Sequence, residues 1–94
     1  MQQYGLFYSM SAVKRTPQEQ EYQEVVLKRL GERIRELRIA AGEDNYEKFA
    51  FKHNLSRAQV WRYENGEDLK LSTLVRVLRA LNITLEEFFK GFDL

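Results

Sequence analysis

Three side chains able to make paired, directional hydrogen bonds, Arg57, Gln59 and Arg62, fall within one short segment. A guanidinium fork matches the paired major-groove acceptors of guanine, and a carboxamide matches the donor and acceptor on adenine. Reaction chemistry has no comparable support. The chain has no cysteine, which removes disulfides, thiolate metal sites and thiol nucleophiles. Its single histidine, His53, has no second imidazole for a zinc site and no serine in a pattern that it could activate. Convergent carboxylates, a nucleophile beside a base and a phosphate-cradling glycine loop are all missing from the sequence. We therefore expect no enzyme activity, catalytic residue, cofactor, metal or small-molecule substrate.

The elements that must hold the donor cluster are helical. Thr16 is a cap, Pro17 suits the first helical position, and Glu19 and Glu21 place negative charge near the positive helix end. Apolar residues then recur at Tyr22, Val26, Leu30, Ile34, Leu37 and Ala41, a spacing of three or four that draws one stripe along a helix ending at Gly42. Gly31 interrupts the pattern at a cost of about 1 kcal/mol relative to alanine, which marks either a break or a close helix contact. A short helix is predicted from Tyr46 to Lys52, capped by Asp44 or Asn45, with Phe49 and Ala50 inward. Asn54 supplies the left-handed backbone of a tight turn. Ser56 with Gln59 reads as a capping box and Leu55 with Val60 as its hydrophobic staple, fixing a helix from Arg57 to Glu64 that stops at Asn65 and Gly66. A further stripe runs through Leu71, Leu74, Val75, Leu78 and Leu81. Thr84 with Glu87, flanked by Ile83 and Phe88, starts a last short helix. The sum is five helices, with no convincing strand and no repeat.

Ninety-four residues, 44% of them hydrophobic, suffice for one core. We read residues 1–15 as an arm, disordered alone or ordered by a dimer contact, and 16–94 as a single domain. The net charge is only +1, so composition alone does not indicate a polyanionic partner. Between Val25 and Asn54, seven basic residues stand against five acidic ones. The first apolar stretch precedes Lys14 and Arg15, the wrong order for a signal peptide, and no apolar run approaches the ~20 residues of a membrane span. A cytoplasmic location without membrane association is the expectation.

Two short helices, Tyr46 to Lys52 and Arg57 to Glu64, joined by a few residues, form a helix-turn-helix over 46–65. Leu30-Gly31, Ile34 to Arg38, Phe49-Ala50, Leu55-Ser56-Arg57, Val60, Tyr63 to Gly66, Leu74, Leu78, Leu81 and the segment from Ile83 to Phe88 match one pattern. From Leu30 to about Phe92 the chain resembles the phage-repressor and Cro-like (XRE-type) family of helix-turn-helix DNA-binding domains. The resemblance implies an all-α, five-helix, lambda-repressor-like fold, here with an N-terminal extension. It implies a sequence-specific transcriptional regulator that binds double-stranded DNA, with Arg57, Ala58, Gln59, Trp61 and Arg62 facing the major groove. Asn45, Tyr46 and Asn65 would lie near phosphates. Arg38 and Glu64 match a scaffold pair of the family, and Ala50 its small residue between the second and third helices. The chain departs from the family at Asn54, where glycine is usual, at Tyr46, where glutamine is common, and at Glu67 and Asp68, where many relatives are basic.

Bland readings stand beside these. Arg57 and Arg62 could be ordinary solvated charges, Trp61 could cover a core edge as readily as touch a base, and His53 reads as a partly buried turn residue. Phe88 is predicted to enter the core through its staple. Phe89 and Phe92 are then left as a candidate homodimer face, with Tyr4, Phe7, Tyr8, Tyr22 and Val26 of the extension as further apolar material. The alternative to a DNA-reading regulator is a protein-interaction module: a degenerate, antitoxin-like or partner-binding helix-turn-helix with little DNA affinity, consistent with Glu67 and Asp68.

Overall fold

The structure, a computed structural model, describes residues 14–92. Nearly all of the predicted arm, together with Tyr4, Phe7 and Tyr8, lies outside the described residues. Within them the chain is all-helical: α1 Pro17–Ala40, α2 Tyr46–Lys52, α3 Arg57–Glu64, α4 Leu71–Leu81 and α5 Leu85–Phe89.

Helix α1 begins at a reciprocal capping box, in which the Thr16 hydroxyl accepts from the Glu19 amide at 3.1 Å and the Glu19 carboxylate accepts from the Thr16 amide at 3.4 Å. At 1.5 Å per residue its 24 residues span about 36 Å. Only the later turns are covered. Gly31, Ile34 and Arg38 are buried, whereas Tyr22 and Val25 are exposed, so the predicted stripe becomes a core face only from Leu30 onward. Tyr22 lies too far along the rod to meet the rest of the domain. Ala41 falls just past the last turn as an exposed C-cap. Gly31 does not break the helix; it is the close-contact alternative that holds. A Cβ built there would stand 2.7 Å from the Glu64 carbonyl oxygen, and closer still to that of Tyr63.

Helix α2 is capped by Asn45, whose Oδ1 accepts from the amides of Glu47 at 2.9 Å and Lys48 at 3.0 Å. The turn into α3 passes through Asn54 at φ 57°, the left-handed conformation expected of it. Arg76 of α4 holds that turn by donating to the Asn54 carbonyl at 3.1 Å. Asn54→Ala is therefore expected to lose about 1 kcal/mol or slightly more while Asn54→Gly loses none, read as urea midpoints at equal slope; equal midpoints for the two variants would refute the backbone argument.

Ser56 caps α3 by accepting from the Gln59 amide at 3.3 Å. Among the described residues no hydrogen bond returns from the Gln59 side chain, so the box is half made and the carboxamide stays outside. The Thr84–Glu87 box is complete, with both bonds at 3.1 Å. Phe49, Ala50, Val60 and Phe88 form one core with Ile34, Leu74, Val77, Leu78 and Leu81, against which Leu55 and Ile83 pack as staples. The α4 stripe is rotated from the predicted one: Val77 is buried, while Leu71 and Val75 are exposed. Helix α4 packs against α5 and sends Leu74, Val77, Leu78 and Leu81 into the shared core. Arg33 of α1 secures α5 by donating to two carbonyls of its last turn, Phe88 at 2.9 Å and Glu87 at 3.1 Å, the latter also accepting from the Lys90 amide at the cap.

Candidate nucleic-acid interface

The position of α3 is set by a buried ion pair. Arg38 of α1 grips Glu64 at the end of α3 with both edges of a fork, Nε to Oε2 at 2.7 Å and Nη2 to Oε1 at 2.9 Å. Its remaining Nη1 donates to the Glu43 carbonyl at 2.6 Å. The two side chains are 4% and 5% exposed, so the charges are removed from water and matched to each other. Ala50, fully buried, lets α2 lie close beneath α3. Nearby, the Lys52 ammonium bonded to Glu43 at 2.7 Å holds that carboxyl below its ordinary range.

With Val60 buried and Tyr63 and Glu64 turned inward, the helical period sends the remaining side chains of α3 outward. Ala58 and Arg62 lie opposite the buried face, with Arg57 and Trp61 on one flank and Gln59 on the other. Arg57, Ala58, Gln59 and Trp61 are exposed and Arg62 half-buried. The structure thus brings Arg57, Ala58, Trp61 and Arg62 to one open surface, while Gln59 projects from the other flank of α3. Trp61 is 49% exposed, which fits both roles left open for it: it borders the α1–α3 cleft beside Tyr46 and also the open face beside Arg57 and Arg62.

Each arginine has a carboxylate neighbour that sequence reasoning did not find. Arg57 Nη1 donates to Glu47 Oε2 on α2 at 2.9 Å, and Arg62 Nε stands 3.9 Å from Glu67 Oε1. Both pairs are solvent-exposed, so each contributes at most about 1 kcal/mol. Nothing in the local spacing announces Glu47 with Arg57, ten residues apart on separate helices.

The phosphate set is narrower than expected. The backbone amides of Asn65, Gly66 and Glu67 all turn back to carbonyls of α3, and one Asn65 side-chain hydrogen goes to the Trp61 carbonyl at 2.8 Å. The Asn45 oxygen is occupied in capping α2. What Asn45, Tyr46 and Asn65 keep for an anion is the Asn45 side-chain NH2, the Tyr46 hydroxyl and backbone amide, and the second Asn65 side-chain hydrogen. His53 is half-buried with its ring 4.9 Å from that of Phe49, the turn residue that was expected.

A family model described as helix-turn-helix, of the XRE type that includes Cro and C1-like regulators, matches residues 34–88, more than half of the chain. The chain belongs to this helix-turn-helix family. No curated protein and no solved structure matches it. Membership makes the helix-turn-helix domain a DNA-binding module of the regulator kind. The matched span begins at Ile34 and closes at Phe88, two core residues, and encloses α2, α3 and α4. The first turns of α1 lie before it. Among the described residues, no helix is long and apolar enough to cross a membrane, and no group of His, Asp or Glu could hold a metal ion.

Proposed function

We propose that the domain is a sequence-specific transcriptional regulator that reads the major groove of double-stranded DNA with α3, acting in the cytoplasm as a homodimer. The observation that carries this reading is the outward set of α3: Arg57, Ala58, Trp61 and Arg62 on one open face with Gln59 exposed at its other flank, and the opposite side anchored by Val60 and the Arg38–Glu64 pair. Ala58 is small enough to let the helix axis approach the base edges. Arg57 and Arg62 supply forks for guanine, and Gln59, whose amide is not used by the cap, supplies the matching groups for adenine. Asn45, Tyr46 and Asn65 are the proposed phosphate contacts. Phe89 is the exposed part of the proposed dimer face, because Phe92 is tucked against Phe88, Phe89 and the Arg29 guanidinium 5.4 Å away.

The test is selection from random duplexes followed by Arg57→Ala and Arg62→Ala. Each variant is expected to lose about 1–3 kcal/mol of discrimination, some five- to 150-fold, at one base pair of the selected site, with thermal unfolding unchanged. Unaltered base preference in both variants would defeat the assignment. The second reading, a protein-interaction module, is favoured by one observation: Glu47 and Glu67 place a carboxylate beside each of the two guanidinium groups. A salt series separates the two readings, since phosphate contacts give log affinity a steep dependence on log salt and a protein-only module gives almost none.

A further inference from the structure

The contact between Glu47 and Arg57 divides the guanidinium in a specific way. The 2.9 Å bond to Glu47 Oε2 uses Nη1, and among the described residues no other hydrogen bond to Arg57 is formed. The Nε–Nη2 edge therefore remains as an unspent fork. Glu47 is itself fixed, because its backbone amide is held by Asn45 Oδ1 at 2.9 Å in the first turn of α2, where a carboxylate also suits the positive end of the helix. Arg57 opens α3, one residue after its cap. An arginine side chain 73% exposed would otherwise sample many rotamers, and ordering it on binding costs entropy. Arg62 has no such arrangement: its neighbour Glu67 is 3.9 Å away, beyond hydrogen-bond reach.

We propose that Glu47 is a positioning residue for base recognition: it holds Arg57 by one nitrogen so that the opposite edge is presented to the two acceptors of a guanine. The proposal rests on the reading that α3 enters a major groove. It assigns two opposed effects to one carboxylate. Held in place, Arg57 favours the base pair that accepts its fork. At the same time the Glu47 charge disfavours close approach of phosphate, the contact any sequence can offer.

The experiment uses the full chain, the duplex selected by the wild type and the same duplex altered at the base pair whose readout Arg57→Ala abolishes. Glu47→Ala is expected to reduce discrimination between these duplexes by about three- to five-fold, the size of an exposed charge pair, while raising affinity for random-sequence duplex. In the Arg57→Ala background, Glu47→Ala should no longer change discrimination. Glu47→Gln, which keeps an acceptor but no charge, should retain about half of the discrimination while sharing the gain on random duplex. The proposal is overturned if Glu47→Ala alters affinity for matched and altered duplexes by one common factor, or lowers discrimination equally with and without Arg57. Failure of the underlying reading looks different: the wild type selects no duplex, or Arg57→Ala leaves every base preference intact.

Discussion

Arg38→Met is expected to lower the unfolding free energy by about 3–5 kcal/mol, because it leaves the Glu64 carboxylate buried beside an apolar side chain. The measurement is a thermal or urea unfolding curve, and for a domain of this size the loss corresponds to a fall in Tm on the order of 20 °C. The magnitude follows from burial, since the two side chains are 4% and 5% exposed and water cannot replace the lost partner. It also follows from the number of bonds: the guanidinium joins α3 through both carboxylate oxygens and the α1–α2 loop through the Glu43 carbonyl. Replacing both partners, Arg38→Met with Glu64→Met, is expected to recover much of the loss, because two buried charges then disappear together. A single variant as stable as the wild type would mean that the pair is not buried in solution.

Gly31→Ala is expected to destabilise, although on an exposed helix the same change would gain about 1 kcal/mol. The added methyl would meet the carbonyls of Tyr63 and Glu64, 2.7 Å from the latter, and backbone cannot turn aside as a side chain can. Overpacking of this kind costs about 1–3 kcal/mol, so the sign of the change decides which effect governs the site. A urea midpoint above that of the wild type would show that α1 and α3 are not in close approach. Because the displaced atoms belong to α3, the variant should also lose affinity for a selected duplex beyond what its stability explains.

Much of this arrangement could be read from local chemistry. Thr16 with Glu19, Thr84 with Glu87, Asn45, and Asn54 at its turn announce their roles because capping and left-handed backbone depend on residues only a few positions apart. The resemblance to known helix-turn-helix sequences brought Arg38 and Glu64 together across 26 residues, which no periodicity could do. Val77 shows where periodicity stops. A stripe of leucines fixes the apolar face of α4 only to within a residue or so, and packing against α1 and α5 chose the arc holding Val77 over the one holding Leu71 and Val75. Tyr22 obeyed the period but outran its partner. The Glu47–Arg57 bond, the Arg33 clamp on α5 and the Arg29–Phe92 contact join residues from separate parts of the chain. Such pairs depend on how helices are mutually placed, and charged residues are so common on surfaces that the sequence marks none of them out.

The continuity of α1 has a mechanical consequence. Its leading turns, with Tyr22 and Val25 exposed, and the turns that contact α3 at Gly31 and grip it through Arg38 belong to one unbroken helix. Nine residues separate Tyr22 from Gly31, about 13.5 Å along the axis, too short a length of helix to absorb a bend. Those leading turns therefore share one rigid element with the contacts that α1 makes to the Tyr63 and Glu64 carbonyls and to the Glu64 carboxylate. Whatever orders the exposed leading turns in an assembly would thus bear on the same rod that seats α3.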